Sequence, residues 1–585
     1  MYGATLREET TQFRLWAPNA KSVTLQIQGK GSFSVPPTGG GVFSGEISAK
    51  AGDRYFYKLD DSKSLPDPVS RLLPQGVHGP TEIVDPNAFS WTDQNWRGRP
   101  FSEYVIYELH VGTFSLSGTF DGVCERLAYL KDLGITAIEI MPVAAFPGER
   151  NWGYDGVSLY AVQASYGGPE GLKRLVDAAH QIGLAVILDV VYNHLGNEGN
   201  YLACFGPYFT SKHKTPWGDA INYDDTHCEH VRRFVIENAL YWVREYHLDG
   251  LRLDAIQTIR DDSPQHIVSD LQRAVQDFAQ RSGRTICIVS ESDENDARLV
   301  RAQSSGGYGL HGFWSDDFHH SVHAFLTGER SGYYQDFGSP EQIVCALADG
   351  YVFQGEFFKF WGEPRGTSAR DVPLNANIIC IQNHDQVGNR AQGERLGHLV
   401  SRGAQKAAAA LMLLAPHTPM IFMGEEYGET SPFQFFTDYG DPALQKAVAE
   451  GRRKEFEEFN WDEVPDPQAP ETFERSKLHW ELATQNNELL QWYRMLLQIR
   501  RKYIVTGERT ASAELIDHVI RLAIPKTDPR VLVSVSLSKN HAEVSAPGKS
   551  LLRSAEDGYV VSVNLLRALD TETEERRVAA VLKES

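Results

Sequence analysis

Nothing in the 585 residues reads as a membrane span. No apolar run approaches the roughly 20 residues that a helix needs to cross a bilayer. The segment opening Met1-Tyr2-Gly3 lacks the charged stretch and apolar core of a secretory leader, so none is expected. Cysteine is scarce and scattered: Cys124, Cys204, Cys228, Cys287, Cys345 and Cys380 share no metal-ligand spacing and outline no disulfide framework. Reduced thiols and a cytoplasmic location are the expectation. Basic residues are outnumbered, 57 Lys and Arg against 77 Asp and Glu, for a net charge of −20. That balance argues against a nucleic-acid backbone as partner and leaves a neutral small molecule open. No spacing calls for a metal or an organic cofactor, and none is expected.

What is present fits a globular protein of several domains, with 42% hydrophobic and 23% charged residues. Residues 1–90 read as short alternating strands, such as Phe13-Arg14-Leu15 and Val23-Thr24-Leu25-Gln26-Ile27, separated by turns such as Gly39-Gly40-Gly41. That pattern predicts a β-sandwich. From about residue 101, after a linker over 85–100 held by Trp91 and Trp96, strand and helix patterns alternate. Strand candidates are Tyr104–His110, Thr136–Met141, Ala185–Val191, Gly250–Asp254, Ile286–Ser292, Leu310–Trp314, Asn377–Asn383 and Pro419–Gly424. Helical spacing lies between them, as in Leu172, Leu175, Val176 and Ala179. Ser263-Pro264 reads as a cap and first helical residue. Eight such units predict an α/β fold, a (β/α)8 barrel over 91–510. A doubly wound sheet fits less well, because no glycine-rich dinucleotide fingerprint follows the first strand. Longer insertions follow strands three and six. Residues 511–585 return to a strand pattern and predict a C-terminal β domain.

The chemistry-bearing residues gather at the predicted strand ends. In Gly250-Leu251-Arg252-Leu253-Asp254-Ala255, Arg252 and Asp254 share one face of a strand. A cation placed so favours the charged form of its neighbour and suits a nucleophile. Strand three ends in Asp189-Val190-Val191-Tyr192-Asn193-His194, strand five in Glu291-Ser292-Asp293, and strand seven in Gln382-Asn383-His384-Asp385-Gln386. A barrel brings these ends to one pocket. Converging carboxylates are what glycoside hydrolysis needs: one attacks the anomeric carbon and another, protonated, serves the leaving oxygen. Asp254 suits the first role. Glu291, after the apolar run Ile286-Cys287-Ile288-Val289, suits the second, because burial raises a carboxyl pKa. Asp385 would face the developing positive charge, with His194 and His384 on sugar hydroxyls. Metal ligation by His194, His384 and Asp189 is the rival reading.

These four blocks resemble, in order, the four signature regions of the α-amylase family of glycoside hydrolases. The resemblance spans about residues 101–500. It implies Asp254 as nucleophile, Glu291 as general acid/base, Asp385 as transition-state stabiliser and a retaining mechanism. Tyr154, in Asn151-Trp152-Gly153-Tyr154-Asp155, matches the family's aromatic platform. Gln257-Thr258 stands where many α-amylases carry a Lys-His pair beyond the cleavage point.

Three stretches narrow the resemblance: Phe313–His320, Gly328–Tyr334 and Met423–Asp438. They are similar to members of that family that cleave the α-1,4 bond beside the terminal trehalose of a maltooligosaccharide. The implied product is free trehalose, and the implied metabolic neighbour is a synthase that makes the trehalose-ended chain. Candidate substrate contacts are Trp152, Tyr154, Asp189, His194, Trp217, Arg252, Gln257, Asp316, Asp317, Phe318, His319, His320, His384, Gln386, Asn389 and Tyr427. The first barrel strand, Tyr107-Glu108-Leu109-His110, and the N-terminal strands also look like glycogen-branching enzymes. A branching transferase is therefore the alternative, a glucan-binding protein without catalysis the alternative of another class, and a metal hydrolase on the same fold a third.

Overall fold

The computed structural model describes residues 2–566 except 61, 458–463, 506–508, 538–543 and 545. Part of the predicted C-terminal domain, 567–585, lies outside the described residues. At the centre eight parallel strands close into a barrel: β1 (Ile106–Leu109), β2 (Ala137–Ile140), β3 (Ala185–Val190), β4 (Gly250–Leu253), β5 (Cys287–Glu291), β6 (Gly312–Trp314), β7 (Asn377–Ile379) and β8 (Thr418–Phe422). Strand β8 returns to pair with β1, Met420 opposite Ile106. All eight candidates from the sequence are strands, each shorter than expected, the seventh most of all, ending at Ile379 where Asn383 was expected.

The strands are nearly all buried on both faces, as parallel strands covered by helices must be. Ile106, Ala137, Ile187, Val289, Ile378 and Met420 pack inside the barrel, so its lower interior is a core and not a channel. Outside, helices such as Gly168–Gln181 lay Leu172, Leu175, Val176 and Ala179 against the strands. At Gly250 a Cβ would stand 2.5 Å from Cys287 Sγ, so only glycine lets β4 and β5 pair at this point.

Two antiparallel sheets precede the barrel. One is built around Thr11–Trp16 and Val42–Ile47, the other around Val23–Ile27 and Arg54–Leu59. A five-stranded antiparallel sheet over Ser512–Leu565 follows it. The linker is pinned under the barrel: Trp91 stacks on His247, and Trp96 Nε1 donates to Asp249 Oδ1 at 2.8 Å.

One helix start departs from expectation. Helix Ile267–Ser282 begins three residues beyond Pro264. Asp261 explains this, because its carboxylate accepts from the backbone N–H of both Ser263 (3.0 Å) and Ile267 (2.6 Å), holding 261–266 as a turn.

Candidate active site

Arg252 is the hub of the barrel mouth. It lies directly across from Asp189 in the β3–β4 ladder, with its side chain fully enclosed. Its Nη1 donates to Asp189 Oδ2 (2.7 Å) and Asp254 Oδ1 (2.9 Å), and its Nη2 lies 2.6 Å from Glu291 Oε2. The guanidinium also sits 4.1 Å from the centre of the Trp314 ring. One cation thus gathers three carboxylates from β3, β4 and β5.

The backbone turns sharply after the nucleophile candidate. Ala255 adopts φ +40°, a left-handed conformation that costs a residue with a Cβ about 1–2 kcal/mol. The turn aims the Ala255 N–H at Glu291 Oε2, 3.0 Å away. Local strain of this kind is found where surrounding structure enforces it for function. Asn193 fixes Asp254 from the other side, its Nδ2 donating to the Asp254 carbonyl and to Oδ2, both at 2.7 Å. Asn193 Oδ1 is then free to accept from His194 Nδ1. His194 stacks flat on Trp217, with ring centres 4.0 Å apart, and burial lowers its pKa to about 4, so the ring is neutral.

Burial pushes the Glu291 carboxyl up, against the lowering pull of Arg252, and nearby Asp254 adds to the rise. Asp385 is also raised by burial, with His384 opposing. Asn389 Nδ2 donates to Asp385 Oδ1 at 2.5 Å, and Arg452 Nη1 holds Asn389 Oδ1 at 2.9 Å. Tyr154 stands between the strand ends. Its hydroxyl donates to Asp189 Oδ2 (2.7 Å) and meets His384 Nε2 (2.8 Å), and its ring stacks on the imidazole. Burial raises Asp189 to about 7.

The residues expected beyond the cleavage point divide. Asp316 faces the triad: Gln386 Nε2 reaches its Oδ1 at 3.4 Å, and burial with Glu291 nearby raises it well above the usual carboxylate range. Gln257 holds an enclosed Oε1 without a protein partner. Asp317, expected on the rim, is turned inward. It accepts from Arg365 Nη1 (2.8 Å), Asn295 Nδ2 (2.9 Å), Val352 N (2.7 Å) and Phe353 N (3.1 Å). Phe318 is core. His319 and His320 pack among Tyr333, Tyr334 and Phe337. The reason is that a helix, Asp316–Thr327, starts at once after β6 and rotates successive side chains away from the mouth.

Of the three aromatics expected on the rim, only Trp217 is there, 47% exposed. Trp152 is buried, its indole N–H bonded to the Gln434 carbonyl and its ring stacked on Phe433. Tyr427 lies in the wall behind the barrel, where its hydroxyl donates to Glu429 and its ring meets Trp480.

His194 Nδ1, both ring nitrogens of His384 and Asp189 Oδ2 are engaged by Asn193, Tyr154, Glu108 and Arg252, while Asp189 Oδ1 has no partner. Among the described residues the one group with ligand atoms close enough for a cation is a different one, His213, Asp224 and Asp262. There the Lys212 ammonium already sits 2.8 Å from Asp224 and 3.5 Å from Asp262. Sequence reasoning missed Asn193, Glu108, Glu139 and Arg452. An acidic residue inside an apolar strand run, as in Ile106-Tyr107-Glu108-Leu109, was a readable signal for Glu108, and Ala137-Ile138-Glu139-Ile140 for Glu139.

A closed parallel barrel whose C-terminal mouth gathers Asp189, Asp254 and Glu291 on one arginine carries the converging carboxylates that glycoside hydrolysis needs. The profile of the alpha amylase catalytic domain matches residues 83–215 and 220–507. The malto-oligosyltrehalose trehalohydrolase of Saccharolobus solfataricus is 49% identical over 514 residues, 88% of this chain and 89% of that protein. A 1,4-alpha-glucan branching enzyme of Pseudoalteromonas atlantica is 27% identical, over 72% of this chain and 61% of that protein. A crystal structure described as an alpha amylase from Salmonella typhimurium superposes with a TM-score of 0.89 at 40% identity, covering 97% of this chain and 99% of that one. The chain belongs to the α-amylase family, in its malto-oligosyltrehalose trehalohydrolase branch.

Proposed function

We propose that the protein is a retaining glycoside hydrolase that cleaves the α-1,4 bond next to the terminal trehalose of maltooligosyltrehalose and releases trehalose. The observation that carries this is Asp254 and Glu291 held on one guanidinium, in a chain that shares nearly half its residues with a trehalohydrolase along most of its length.

In the first step Glu291 gives its proton to the glycosidic oxygen while the Asp254 carboxylate attacks the anomeric carbon. The C–O bond to trehalose breaks, trehalose leaves, and a glycosyl ester remains on Asp254. In the second step Glu291, now a carboxylate, takes a proton from water. The water oxygen attacks the same carbon and frees Asp254. Asp385 balances the oxocarbenium-like charge of both transition states. The shared guanidinium keeps Asp254 and Glu291 at close quarters, as a retaining pair about 5–5.5 Å apart requires. Tyr154 supplies the platform under the reacting glucose. We assign Trp217, Asp316 and Gln386 to substrate contact.

Trehalose has no reducing end, so the pocket beyond the cleavage point must fit its α,α-1,1 linkage, and selectivity over linear glucan comes from that fit. This reading places the enzyme after a maltooligosyltrehalose synthase, in the cytoplasm. It divides the chain into 1–90, 91–510 and 511–585. Among the described residues no helix is long and apolar enough to cross a membrane.

The test is product analysis with maltooligosyltrehalose and with amylose of matched length. Free trehalose from the first, with little reaction on the second, is the expected result. New α-1,6 branches in amylose without trehalose release would establish the transferase instead.

A further inference from the structure

Glu108 sits on β1 with 1% of its surface exposed, across the barrel from β4 and β5 and two strands from β7, whose following segment carries Asp385. Its Oε2 accepts the backbone N–H of His384 at 3.0 Å, and its Oε1 accepts Nδ1–H of the same residue at 2.5 Å. The other ring nitrogen, Nε2, meets the Tyr154 hydroxyl at 2.8 Å. Tyr154 has one proton, and it goes to Asp189 Oδ2, which is itself paired with Arg252. With Asp189 as the carboxylate paired to Arg252, the Tyr154 oxygen is left to accept and His384 Nε2 to donate. Both ring nitrogens donate only in the imidazolium.

We propose that Glu108 is a positioning residue for the hydrolysis, holding His384 as a fixed cation between the platform Tyr154 and the carboxyl of Asp385. The proposal rests on the triad assigned above. One carboxylate that bonds both the backbone and the ring of His384 fixes the start of the segment carrying Asp385, because the short helix His384–Gly388 begins there.

The electrostatics agree. Burial is the largest influence on His384 and disfavours its charge, and Arg252 opposes it too, but the charge and hydrogen bond of Glu108 together with Asp385 leave the imidazole raised. The ring also feels His110, Asp189 and Glu291. Glu139, beside Glu108 in the β1–β2 ladder, is pushed up far by burial, and both its oxygens lack a partner. Burial thus favours the neutral form of Glu139, and Glu108 is the carboxyl whose two oxygens meet His384. In turn the cation lowers the carboxyls of Asp385 and Glu291 against their burial. A second-layer carboxylate that orients a histidine in this way is commonly worth about 10–100-fold where it has been removed from metal-ligand histidines.

The test is Glu108→Gln. An amide cannot accept from both His384 groups: with its oxygen on the backbone N–H, its NH2 faces Nδ1 and forces the neutral ring. With the cation gone, the Asp385 carboxyl rises, because a nearby positive charge no longer favours its anion. The expected result is a fall in kcat of about 10–100-fold. The acid limb of the kcat/KM profile should also move up by about one pH unit. Glu108→Asp, which keeps the charge, should hold the limb near its original place. A uniform loss with an unmoved acid limb would reduce Glu108 to a packing residue and overturn the proposal. The second readout needs no turnover: NMR titration of the labelled His384 ring, assigned with His384→Asn. A ring protonated at neutral pH in the native protein and neutral in Glu108→Gln supports the proposal even if the leaving group is not trehalose. A ring neutral in both overturns it, and if Glu108→Gln does not fold, the native titration alone decides.

Discussion

Asp317→Asn separates structure from substrate binding at the mouth. Both oxygens of Asp317 accept: Oδ1 from the Arg365 guanidinium, Oδ2 from two backbone N–H groups and Asn295. An amide has one accepting oxygen. Whichever way it is turned, its NH2 faces donors, and Arg365, only 2% exposed, loses its counter-charge. Removing one partner of a buried ion pair costs about 3–5 kcal/mol. Asp316→Asn has no such consequence, since the bond it makes to Gln386 is long, at 3.4 Å. It should cost about 1 kcal/mol or less and instead depress kcat/KM. Thermal unfolding at one scan rate and steady-state kinetics on both variants form the assay. Asp317→Asn should lower Tm by several degrees, and Asp316→Asn should leave Tm in place. A native Tm with a raised KM in Asp317→Asn would refute the inward placement of Asp317.

Other outcomes follow from the same geometry. Glu291→Gln should fold normally and lose several orders of magnitude in kcat for trehalose release, while a leaving group that needs no proton should recover much of the first step; near-native turnover on the natural substrate would remove Glu291 from its role. Because burial raises Glu291, its acid form persists above the ordinary range near pH 4.3, and kcat/KM should fall only as pH rises through that raised value. His180 is buried between Asp249 and Asp93 at 2.8 Å each, and they outweigh the burial that opposes its charge. Its raised pKa contributes stability that is full below the unfolded value near 6.5 and is lost as pH rises through the folded one. His180→Gln should therefore destabilise more at about pH 5.5 than at about pH 9, as read from denaturation midpoints. Trp217→Ala should raise KM with little change in Tm, because the ring is half exposed and its stacking partner is His194.

The barrel was legible because its strands are short apolar runs ending in charge, and a charge at the end of a buried run has few structural excuses. Arg252, Asp254, Glu291 and Asp385 announce themselves in that way. Orientation within a helix was not legible. Asp316 and Asp317 are identical neighbours in sequence, and only the immediate start of the helix after β6 turns one to the triad and the other to Arg365. Trp152 and Tyr427 lie in glycine-punctuated loops that read as rim, yet Gln434 and Glu429, distant or ambiguous in sequence, draw them inward. Arg452 gave no local signal, since it acts from helix Pro442–Glu457, far along the chain from Asn389.

The most direct test of the central claim is the anomer first released. Proton NMR of the maltooligosaccharide formed during the opening turnovers of maltooligosyltrehalose should show the α-anomer first, with β growing in by mutarotation. That order requires attack by Asp254, a glycosyl ester and a second attack by water. The β-anomer appearing first would mean water attacks directly, and Asp254 could not be the nucleophile.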